Sequence, residues 1–351
     1  MLSVAVLEPG KTGIVEVPKP SSGPYEALVK TEIAFICNAT DRKLVAGHFP
    51  GIGAERYPLL LGHESVGIVE AVGSRVRSFK VGDRVIGALL TRTGDSRYNP
   101  GWGGDSEYLL ASDGAAMKAD GVADEAHGYD DVFKIMKTVP KDIPIEAAGL
   151  LCTWREVYAG FSDFRLKAGD DVLIFGAGPV GLSFCAFAKL LGLGWVGVVD
   201  IKEEKRAKAL EMGADAVFVP DDPLLKTLAA CRGKSLDAVI DAVGHESIIN
   251  AGLSLIRLAG SICVYGVLAA PVLTLRKSEG PYNFNLYMHQ WPTRDAEAAA
   301  QEPLIEWIRS GKLSAADFTT GTFDFREIDK ALAATELAAS LKTMLDFRGR
   351  K

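Results

Sequence analysis

Residues 171–182 read DVLIFGAGPVGL, and this stretch decides the fold of the second half of the chain. A short apolar run ends in a G-x-G-x-x-G pattern that opens a helix. The first glycine suits a tight turn, the second lets the backbone approach a phosphate, and the third allows a helix to pack closely on a strand. The pattern also fits a strand-to-helix turn without a ligand. The residues of this turn are Gly176, Gly178, Pro179, Val180 and Gly181.

Strands and helices alternate on both sides of this turn. The run WVGVVD at 195–200 is typical of a buried strand, and KEEKRAKALEMG at 202–213 is helical. Further along, ESIINAGLSLIRLAG at 246–260 predicts a helix and SICVYGV at 261–267 a strand. Alternating βαβ units predict a doubly wound, mainly parallel sheet with helices on both faces.

An acidic residue ends the strand after the glycine-rich turn. Asp200 is placed to accept hydrogen bonds from the ribose hydroxyls of a dinucleotide and to repel a 2′-phosphate, which favours NAD over NADP. Lys205 is a further candidate cofactor-binding residue, and its charge, with those of Lys202 and Arg206, leaves some tolerance for NADP. Asp200 also suits an N-cap of the helix that follows it.

The first part of the chain has a different residue pattern. Residues 1–112 contain short strands punctuated by Gly and Pro, which predict an all-β arrangement. Residues 113–139 are acidic and lack a strand pattern, so we interpret them as a surface insertion with one helical turn. From about 146 the residue pattern changes again, to a long helical pattern followed by alternating strands and helices. The predicted domains are 1–148, 149–286 and a C-terminal segment, 287–351, that returns to the first domain.

Length and composition limit the possible functions. The chain has 351 residues, enough for two domains, with 48% hydrophobic and 24% charged residues, as in globular proteins. A net charge of −6 gives no electrostatic reason to expect a nucleic acid or a membrane surface as partner. We find no signal peptide or membrane span, so we expect a soluble cytoplasmic protein. A reducing compartment also suits the five scattered cysteines, Cys37, Cys152, Cys185, Cys231 and Cys263.

Two of these cysteines, with a histidine, form a candidate metal site. Cys37, His63 and Cys152 supply the thiolate and imidazole ligands that Zn²⁺ prefers, and three protein ligands leave one position open. Glu64 could occupy that position at rest, and Asp41 could hold the second ring nitrogen of His63. Each residue also has an ordinary structural interpretation: a buried thiol, a core histidine or a loop acid.

The joint pattern resembles the medium-chain, zinc-dependent alcohol dehydrogenases over essentially the whole chain. That resemblance implies a GroES-like β-rich catalytic domain and a Rossmann coenzyme domain. The motifs that carry it are CNATD (37–41), GHE (62–64), VGSRVRSFKVGDRV (72–85), GGDSEY (103–108), AAGLLCTWREVY (147–158) and GAGPVG (176–181).

The resemblance also implies ligands and roles. Cys37, His63 and Cys152 would hold one catalytic zinc per chain, with Glu64 as the alternate fourth ligand. A hydride would pass between an alcohol and NAD, and the hydroxyl of Thr40 would take the alcohol proton. The exit of that proton relay stays open between Arg42, Lys43 and His48.

Three features depart from the family pattern. CNATD has one residue more than usual, which leaves open a one-residue shift in matching Thr40 and Asp41. The lobe at 91–108 has no cysteine, so we predict no structural zinc. The insertion at 113–139 is longer than usual, and its role stays open.

The stretch LYMHQWP at 286–292 resembles part of the substrate pocket of the polyol dehydrogenase branch, with Tyr287 and Trp291 as candidate substrate residues. Leu286 stands where that branch has an arginine, which favours a small diol over a hexitol. The predicted substrate is a secondary alcohol, diol or small polyol. Tyr287 and Trp291 would otherwise be packing residues.

Other functions compete with this prediction. They are a simple alcohol dehydrogenase or carbonyl reductase, a zinc-independent reductase of activated double bonds, and a non-catalytic NAD-binding protein. By analogy with the family we expect a homodimer or homotetramer. The subunits would contact one another through the edge strand of the coenzyme sheet, which we expect at GSICVYGV (260–267).

Overall fold

The computed structural model forms two compact units. The first contains 1–153 and 294–351, and the second contains 154–293. The boundaries predicted from the sequence fall after 148 and 286 instead. The difference arises because one long helix runs past 148 and the last strand of the second unit runs past 286. The residues that the structure describes are 1–220, 228, 235–337 and 340–349, so Cys231 lies outside them.

The elements of the described residues are as follows. The strands are β1 Leu2–Glu8, β2 Lys11–Glu16, β3 Glu26–Phe35, β4 Leu59–Leu60, β5 Glu64–Val72, β6 Arg84–Ile86, β7 Tyr108–Ser112, β8 Lys137–Val139, β9 Val172–Phe175, β10 Val196–Val199, β11 Ala216–Phe218, β12 Leu236–Asp241, β13 Ile256–Val264, β14 Asn285–Met288, β15 Thr319–Asp324 and β16 Lys342–Asp346. The α-helices are Thr40–Val45, Gly114–Ala119, Ile145–Asp163, Pro179–Leu190, Glu203–Glu211, Glu246–Leu253, Arg294–Ala299, Gln301–Arg309 and Ile328–Ala334.

The first unit is rich in β-strands, as predicted. One sheet has the order β2-β1-β4, and a larger one has the order β15-β16-β3-β5-β6-β8, with β7 paired to β3. Apolar side chains from both sheets form its core. In the antiparallel pairing of β3 with β5, Phe35 lies opposite Glu64. This register brings the residues just after β3 beside those at the start of β5.

The segment 113–139 differs from the prediction of a surface insertion without a strand. It contains the helix Gly114–Ala119, capped by Asp113, whose carboxylate accepts from the Ala116 N–H. Its last residues form β8, which pairs with β6 and extends the larger sheet. Met117 and Met136 are buried. The apolar side chains within this acidic segment therefore pack into the first unit, which the overall charge of the segment obscured.

The second unit is the predicted doubly wound sheet. Its strand order is β11-β10-β9-β12-β13-β14 with every pairing parallel, which is the 3-2-1-4-5-6 order of a Rossmann fold. The ligand site of such a sheet lies at the carboxyl ends of the strands, where the order reverses between β9 and β12. The glycine-rich turn follows β9 directly and so lies at this switch point.

Two expectations about this sheet are wrong. The helix expected at 246–260 ends at Leu253, and β13 already begins at Ile256, because Ile256 pairs with Leu236 of β12. The strand within GSICVYGV is not the edge of the described sheet, because β14 pairs with its outer side. Within the described ranges, no helix combines the length and apolarity needed to cross a lipid bilayer.

Candidate metal centre and dinucleotide turn

The metal-site residues of the first unit are brought together by the pairing of β3 and β5. Cys37 lies two residues beyond the end of β3, and His63 directly precedes β5. The side chains of Cys37, His63 and Glu64 place one ligand atom each within 4.8 Å of one another, the only such group of three or more donors in the described chain. The thiol of Cys152 is not in this group, but its Sγ lies 3.8 Å from the carbonyl oxygen of His63.

Asp41 connects Cys37 to His63. Its Oδ2 accepts a hydrogen bond from the Cys37 N–H at 2.8 Å, and its Oδ1 lies 3.5 Å from His63 Nδ1. Burial lowers the pKa of His63, but Asp41 and Cys37 outweigh it and raise the pKa well above its ordinary value. Asp41 is therefore the carboxylate that lies next to Nδ1 of His63. Thr40 is buried on the first turn of its helix, with its N–H 3.5 Å from Cys37 Sγ.

The carboxylate of Glu64 is held by two residues that sequence reasoning missed. Lys342 Nζ lies 2.5 and 2.6 Å from its two oxygens, and the Thr153 hydroxyl donates to Oε2 at 3.1 Å. Burial raises the pKa of Glu64, but the charges of Lys342 and His63, together with the hydrogen bonds from Lys342 and Thr153, lower the pKa overall. Glu64 Oε1 also lies 3.9 Å from His63 Nε2. Lys342 belongs to β16, a strand whose residues are all buried, which only the folded structure reveals.

These residues fit a zinc ion. Their atoms are a thiol sulfur, an imidazole nitrogen and a carboxylate oxygen, the three kinds of ligand that Zn²⁺ takes in proteins. His63 Nε2 faces Glu64 and Nδ1 faces Asp41, so a carboxylate is in place to hold the ring nitrogen that does not bind the metal. Asp41 Oδ1 and His63 Nδ1 are buried with no hydrogen-bond partner among the described residues.

The dinucleotide turn in the second unit depends on its three glycines in different ways. Gly176 has φ of +95°, which only glycine adopts easily. A Cβ on Gly181 would lie 1.8 Å from the carbonyl oxygen of Gly176, so helix and turn approach too closely for any side chain. A Cβ on Gly178 would meet nothing within 4 Å. The protein itself therefore does not require glycine at 178, and the open space there fits a phosphate group at the helix N-terminus.

Asp200 is held at the carboxyl end of β10. Its Oδ2 accepts from the Ala177 N–H of the turn at 2.7 Å, and its Oδ1 accepts from the Lys202 N–H at 2.9 Å. The Arg206 guanidinium donates to the Asp200 carbonyl oxygen at 2.8 Å, and Lys205 is half-buried on the same helix. Acidic and basic groups thus lie side by side where a ribose would bind.

The candidate substrate residues of the second unit lie on and after β14. The guanidinium of Arg165 lies 5.7 Å from the Tyr287 ring centre, and the His289 ring lies 6.1 Å from it. Leu286 packs against the core of the sheet. Trp291 is 45% exposed. Tyr287 therefore has packing partners, whereas the Trp291 side chain is largely accessible.

Comparison with known proteins identifies the family. The model of the alcohol dehydrogenase GroES-like domain matches residues 23–121, and that of the zinc-binding dehydrogenases matches residues 179–284. The NADP-dependent isopropanol dehydrogenase of Thermoanaerobacter brockii is 33% identical over 268 residues, which cover 75% of this chain and 74% of that protein. This chain belongs to the zinc-dependent alcohol dehydrogenases.

Other members of the alcohol dehydrogenase family match nearly the whole chain. A probable D-xylulose reductase A of Aspergillus clavatus is 27% identical over 342 residues, covering 92% of this chain and 89% of that protein. A structure described as a short chain alcohol dehydrogenase from E. coli CFT073, complexed with NADH, is 24% identical. It covers 99% of both chains with a TM-score of 0.78, which shows a shared fold.

Proposed function

We propose that this alcohol dehydrogenase transfers a hydride between NAD(H) and a secondary alcohol, diol or small polyol. The observation that carries the proposal is the group formed by Cys37, His63 and Glu64, whose ligand atoms lie within 4.8 Å of one another. These residues would hold the zinc, and the thiol of Cys152 lies next to His63 as a further ligand. Zinc bound there would supply a Lewis acid for the alcohol oxygen.

The surrounding side chains prepare this centre for proton transfer. Asp41 faces Nδ1 of His63 and so leaves Nε2 for the metal. Thr40 presents a hydroxyl from the turn that carries Asp41, and we assign it the role of accepting the alcohol proton. Lys342 neutralises Glu64 when that carboxylate is away from the metal.

We propose NAD as the preferred cofactor. The Asp200 carboxylate is fixed by the N–H groups of Ala177 and Lys202, so it cannot turn away from a ribose without losing both hydrogen bonds. A 2′-phosphate next to it would meet a like charge. Arg206 lies on the carbonyl side of Asp200, and its positive charge reduces the discrimination without reversing it. The NADP dependence of the T. brockii relative makes this the point to test first.

The substrate proposal rests on the relatives and on the stretch after β13. The two relatives described above act on isopropanol and on D-xylulose, and both substrates involve a secondary carbinol or its ketone. Leu286 is partly buried against the core, and its aliphatic side chain offers no hydrogen bond to a remote hydroxyl. We therefore favour small diols over hexitols.

We further propose that the protein works as a homodimer or homotetramer in the cytoplasm. β14 is an edge strand of the described sheet, and an edge strand offers unpaired backbone groups to a second copy. Cysteines that are few and far apart suit a reducing compartment.

A substrate panel with both cofactors tests the proposal. We expect NAD reduction with a four-carbon vicinal diol at higher kcat/KM than with a hexitol, and with NAD favoured over NADP. If a simple secondary alcohol exceeds the diol by tenfold, about 1.4 kcal/mol, the polyol preference is wrong and a plain alcohol dehydrogenase remains. Failure of metal-loaded protein to oxidise any alcohol would leave a non-catalytic NAD-binding protein.

A further inference from the structure

A tryptophan lies against the ring of a proposed metal ligand and takes no part in the roles described above. Trp102 belongs to the lobe at 91–108, which differs from the family pattern because it contains no cysteine. Its ring centre lies 5.4 Å from that of His63, with the two ring planes at 58°. The Phe49 ring packs nearly perpendicular to the indole, with the ring centres 5.8 Å apart. Trp102 therefore joins His63 and Phe49 in one aromatic cluster.

Two glycines hold the backbone of Trp102 in place. Gly101 and Gly103 flank it with φ of +53° and +59°, which glycine adopts without strain. A Cβ on Gly101 would collide with the Leu60 carbonyl oxygen, and one on Gly103 would lie 2.7 Å from the Leu90 Cβ. The Trp102 carbonyl also accepts a hydrogen bond from the Leu90 N–H at 3.0 Å. The stretch GWG at 101–103 therefore presents the indole from a closely packed backbone.

The same lobe is bonded to the segment that leads into His63. The Gly104 N–H donates to the Gly62 carbonyl at 2.7 Å, and the Asp105 N–H donates to the Leu61 carbonyl at 2.9 Å. These hydrogen bonds fix the lobe relative to the backbone that presents His63. The contact between the two rings is thus supported by the main chain on both sides.

Core filling is the simplest alternative role for this side chain. Trp102 is partly buried and packs against both apolar clusters of the first unit. However, a cavity of about 230 Å³ borders the indole, and its lining includes Leu44, Ile52 and Leu59. Protein cores are close-packed, and a side chain whose only role was to fill space would leave little room beside it. Core filling alone therefore does not account for a tryptophan at this position.

We propose that Trp102 is a positioning residue of the metal centre, which fixes the tilt of the His63 ring. The inference rests on the proposed zinc site and adds a residue to it. Groups that orient a ligating imidazole strengthen metal binding. Asp41 lies next to Nδ1 of His63, but a carboxylate at one nitrogen leaves the ring free to tilt. An aromatic ring packed against the imidazole restricts that motion, and aromatic pairs contribute more than the area that they bury.

Zinc affinity of two variants tests this role. We expect Trp102→Leu to raise the zinc Kd about tenfold, measured by competition with a chromogenic chelator, because the His63 ring loses its aromatic neighbour. Trp102→Phe keeps an aromatic ring and should stay within about threefold of wild type. The Tm of each zinc-free variant is measured alongside, because a purely structural role would make the zinc Kd follow the Tm.

Cobalt bound at the same site provides a readout that does not depend on activity. Co²⁺ quenches tryptophan fluorescence at short range, so a tryptophan in contact with a metal ligand should lose emission when the protein is loaded with cobalt. We expect the cobalt-dependent loss of emission to be clearly smaller in Trp102→Phe than in wild type.

A second tryptophan of the same unit provides the control. Trp307 lies on the helix Gln301–Arg309, which carries none of the metal-site residues. Trp307→Leu should lower the Tm and leave the zinc Kd unchanged. Trp307→Phe should keep the cobalt-dependent loss of emission, although it also removes one tryptophan from the chain.

Three results would overturn the proposal. They are a zinc Kd of Trp102→Leu within about threefold of wild type, equal weakening by Leu and Phe, or equal cobalt quenching in wild type and Trp102→Phe. If Trp102→Leu does not fold, Trp102→Met takes its place in the comparison with Phe. A wild-type protein that binds zinc but oxidises no alcohol would refute the proposed function and leave this inference standing.

Discussion

The metal centre of the first unit and the dinucleotide turn of the second are built in opposite ways. The turn comes from one continuous stretch, 176–181, with Asp200 from the next strand. The metal centre collects residues from 37 to 342 along the chain. The turn is also complete in itself, because both oxygens of Asp200 accept backbone N–H groups. The metal centre instead contains buried polar atoms, on Asp41, His63 and Asp105, that have no hydrogen-bond partner in the part of the chain that the structure describes.

This difference indicates which of the two sites depends on its ligand for stability. A turn whose polar groups are already paired keeps its shape whether or not a dinucleotide is bound. A buried centre with unpaired carboxylate and imidazole atoms gains stability when a cation binds, because the cation offsets their desolvation. We therefore expect metal binding to stabilise the first unit more than the dinucleotide stabilises the second.

The largest effect should come from removing a metal ligand. Cys37→Ser should lower kcat/KM for NAD-dependent alcohol oxidation by at least about a thousandfold, or about 4 kcal/mol, because the proposed Lewis acid is lost. The Kd for NADH, measured by fluorescence titration, should change less than twofold, since Cys37 belongs to the other unit.

Cys185→Ala is the matched control for that substitution. Burial raises the pKa of the Cys185 thiol to about 12, so it is an inert core residue of the second unit. The variant should keep its turnover. Retention of more than a tenth of wild-type activity in Cys37→Ser would contradict the ligand assignment.

The next largest effect concerns the buried ion pair. Lys342→Met leaves the Glu64 carboxylate buried without its cation, which should lower the free energy of unfolding of zinc-free protein by about 3 kcal/mol. The exposed pair Lys330–Glu327 provides the comparison, because Lys330→Met should cost less than about 1 kcal/mol. Urea unfolding of both variants measures the difference. Equal losses would mean that the Glu64 pair is not desolvated in solution.

The pH dependence of that pair has a definite sign. The pKa of folded Glu64 is lowered from 4.5, so the folded state binds fewer protons than the unfolded state near that pH. The stabilisation by the pair is complete above pH 4.5 and is lost as the pH falls through the lower folded pKa. Unfolding of zinc-free wild type and Lys342→Met should therefore converge in acid. A stability difference that stays constant down to pH 3 would contradict this account.

Two glycine substitutions test whether the turn is independent of its ligand. Gly181→Ala creates a clash with the Gly176 carbonyl and should destabilise the protein by about 1–3 kcal/mol. Gly178→Ala meets no protein atom, so its Tm should match wild type while its Kd for NADH rises at least tenfold, about 1.4 kcal/mol. Calorimetry with NADH titration separates the two effects. Unchanged NADH affinity in Gly178→Ala would show that no phosphate approaches this residue.

The smallest expected effect is on cofactor choice. Asp200→Gly should reduce the NAD-to-NADP ratio of kcat/KM by about tenfold, because the like charge next to a 2′-phosphate is removed. Asp200→Asn keeps an acceptor for the Ala177 N–H and isolates the charge from the turn geometry. If wild type shows equal constants for both cofactors, Asp200 does not face the ribose.

Local signals account for what the sequence could predict. The turn at 176–181 and the alternating strands and helices follow short-range rules of spacing and backbone sterics, so a doubly wound, mainly parallel sheet was predictable. The end of the helix Glu246–Leu253 and the start of β13 could not be predicted in this way. They depend on the pairing of Ile256 with Leu236, which lies in a strand twenty residues earlier. For Cys37, His63 and Glu64, the ligand interpretation could be preferred over an ordinary structural one only because the whole chain resembles a family.

Lys342 carries no such short-range signal. It is a charged residue in a buried strand, and its partner becomes clear only when distant strands lie side by side. The lysine lies 278 residues from the glutamate that it neutralises. Residues of this kind are the ones that sequence patterns miss and tertiary structure supplies.

Zinc content tests the central claim most directly. Purified protein is incubated with excess zinc, passed over a desalting column and examined by elemental analysis, alongside Cys37→Ser treated in the same way. We predict one zinc per chain in wild type and almost none in the variant. Two tightly bound zinc ions per chain, or equal zinc in both proteins, would contradict a single metal centre at Cys37, His63 and Glu64.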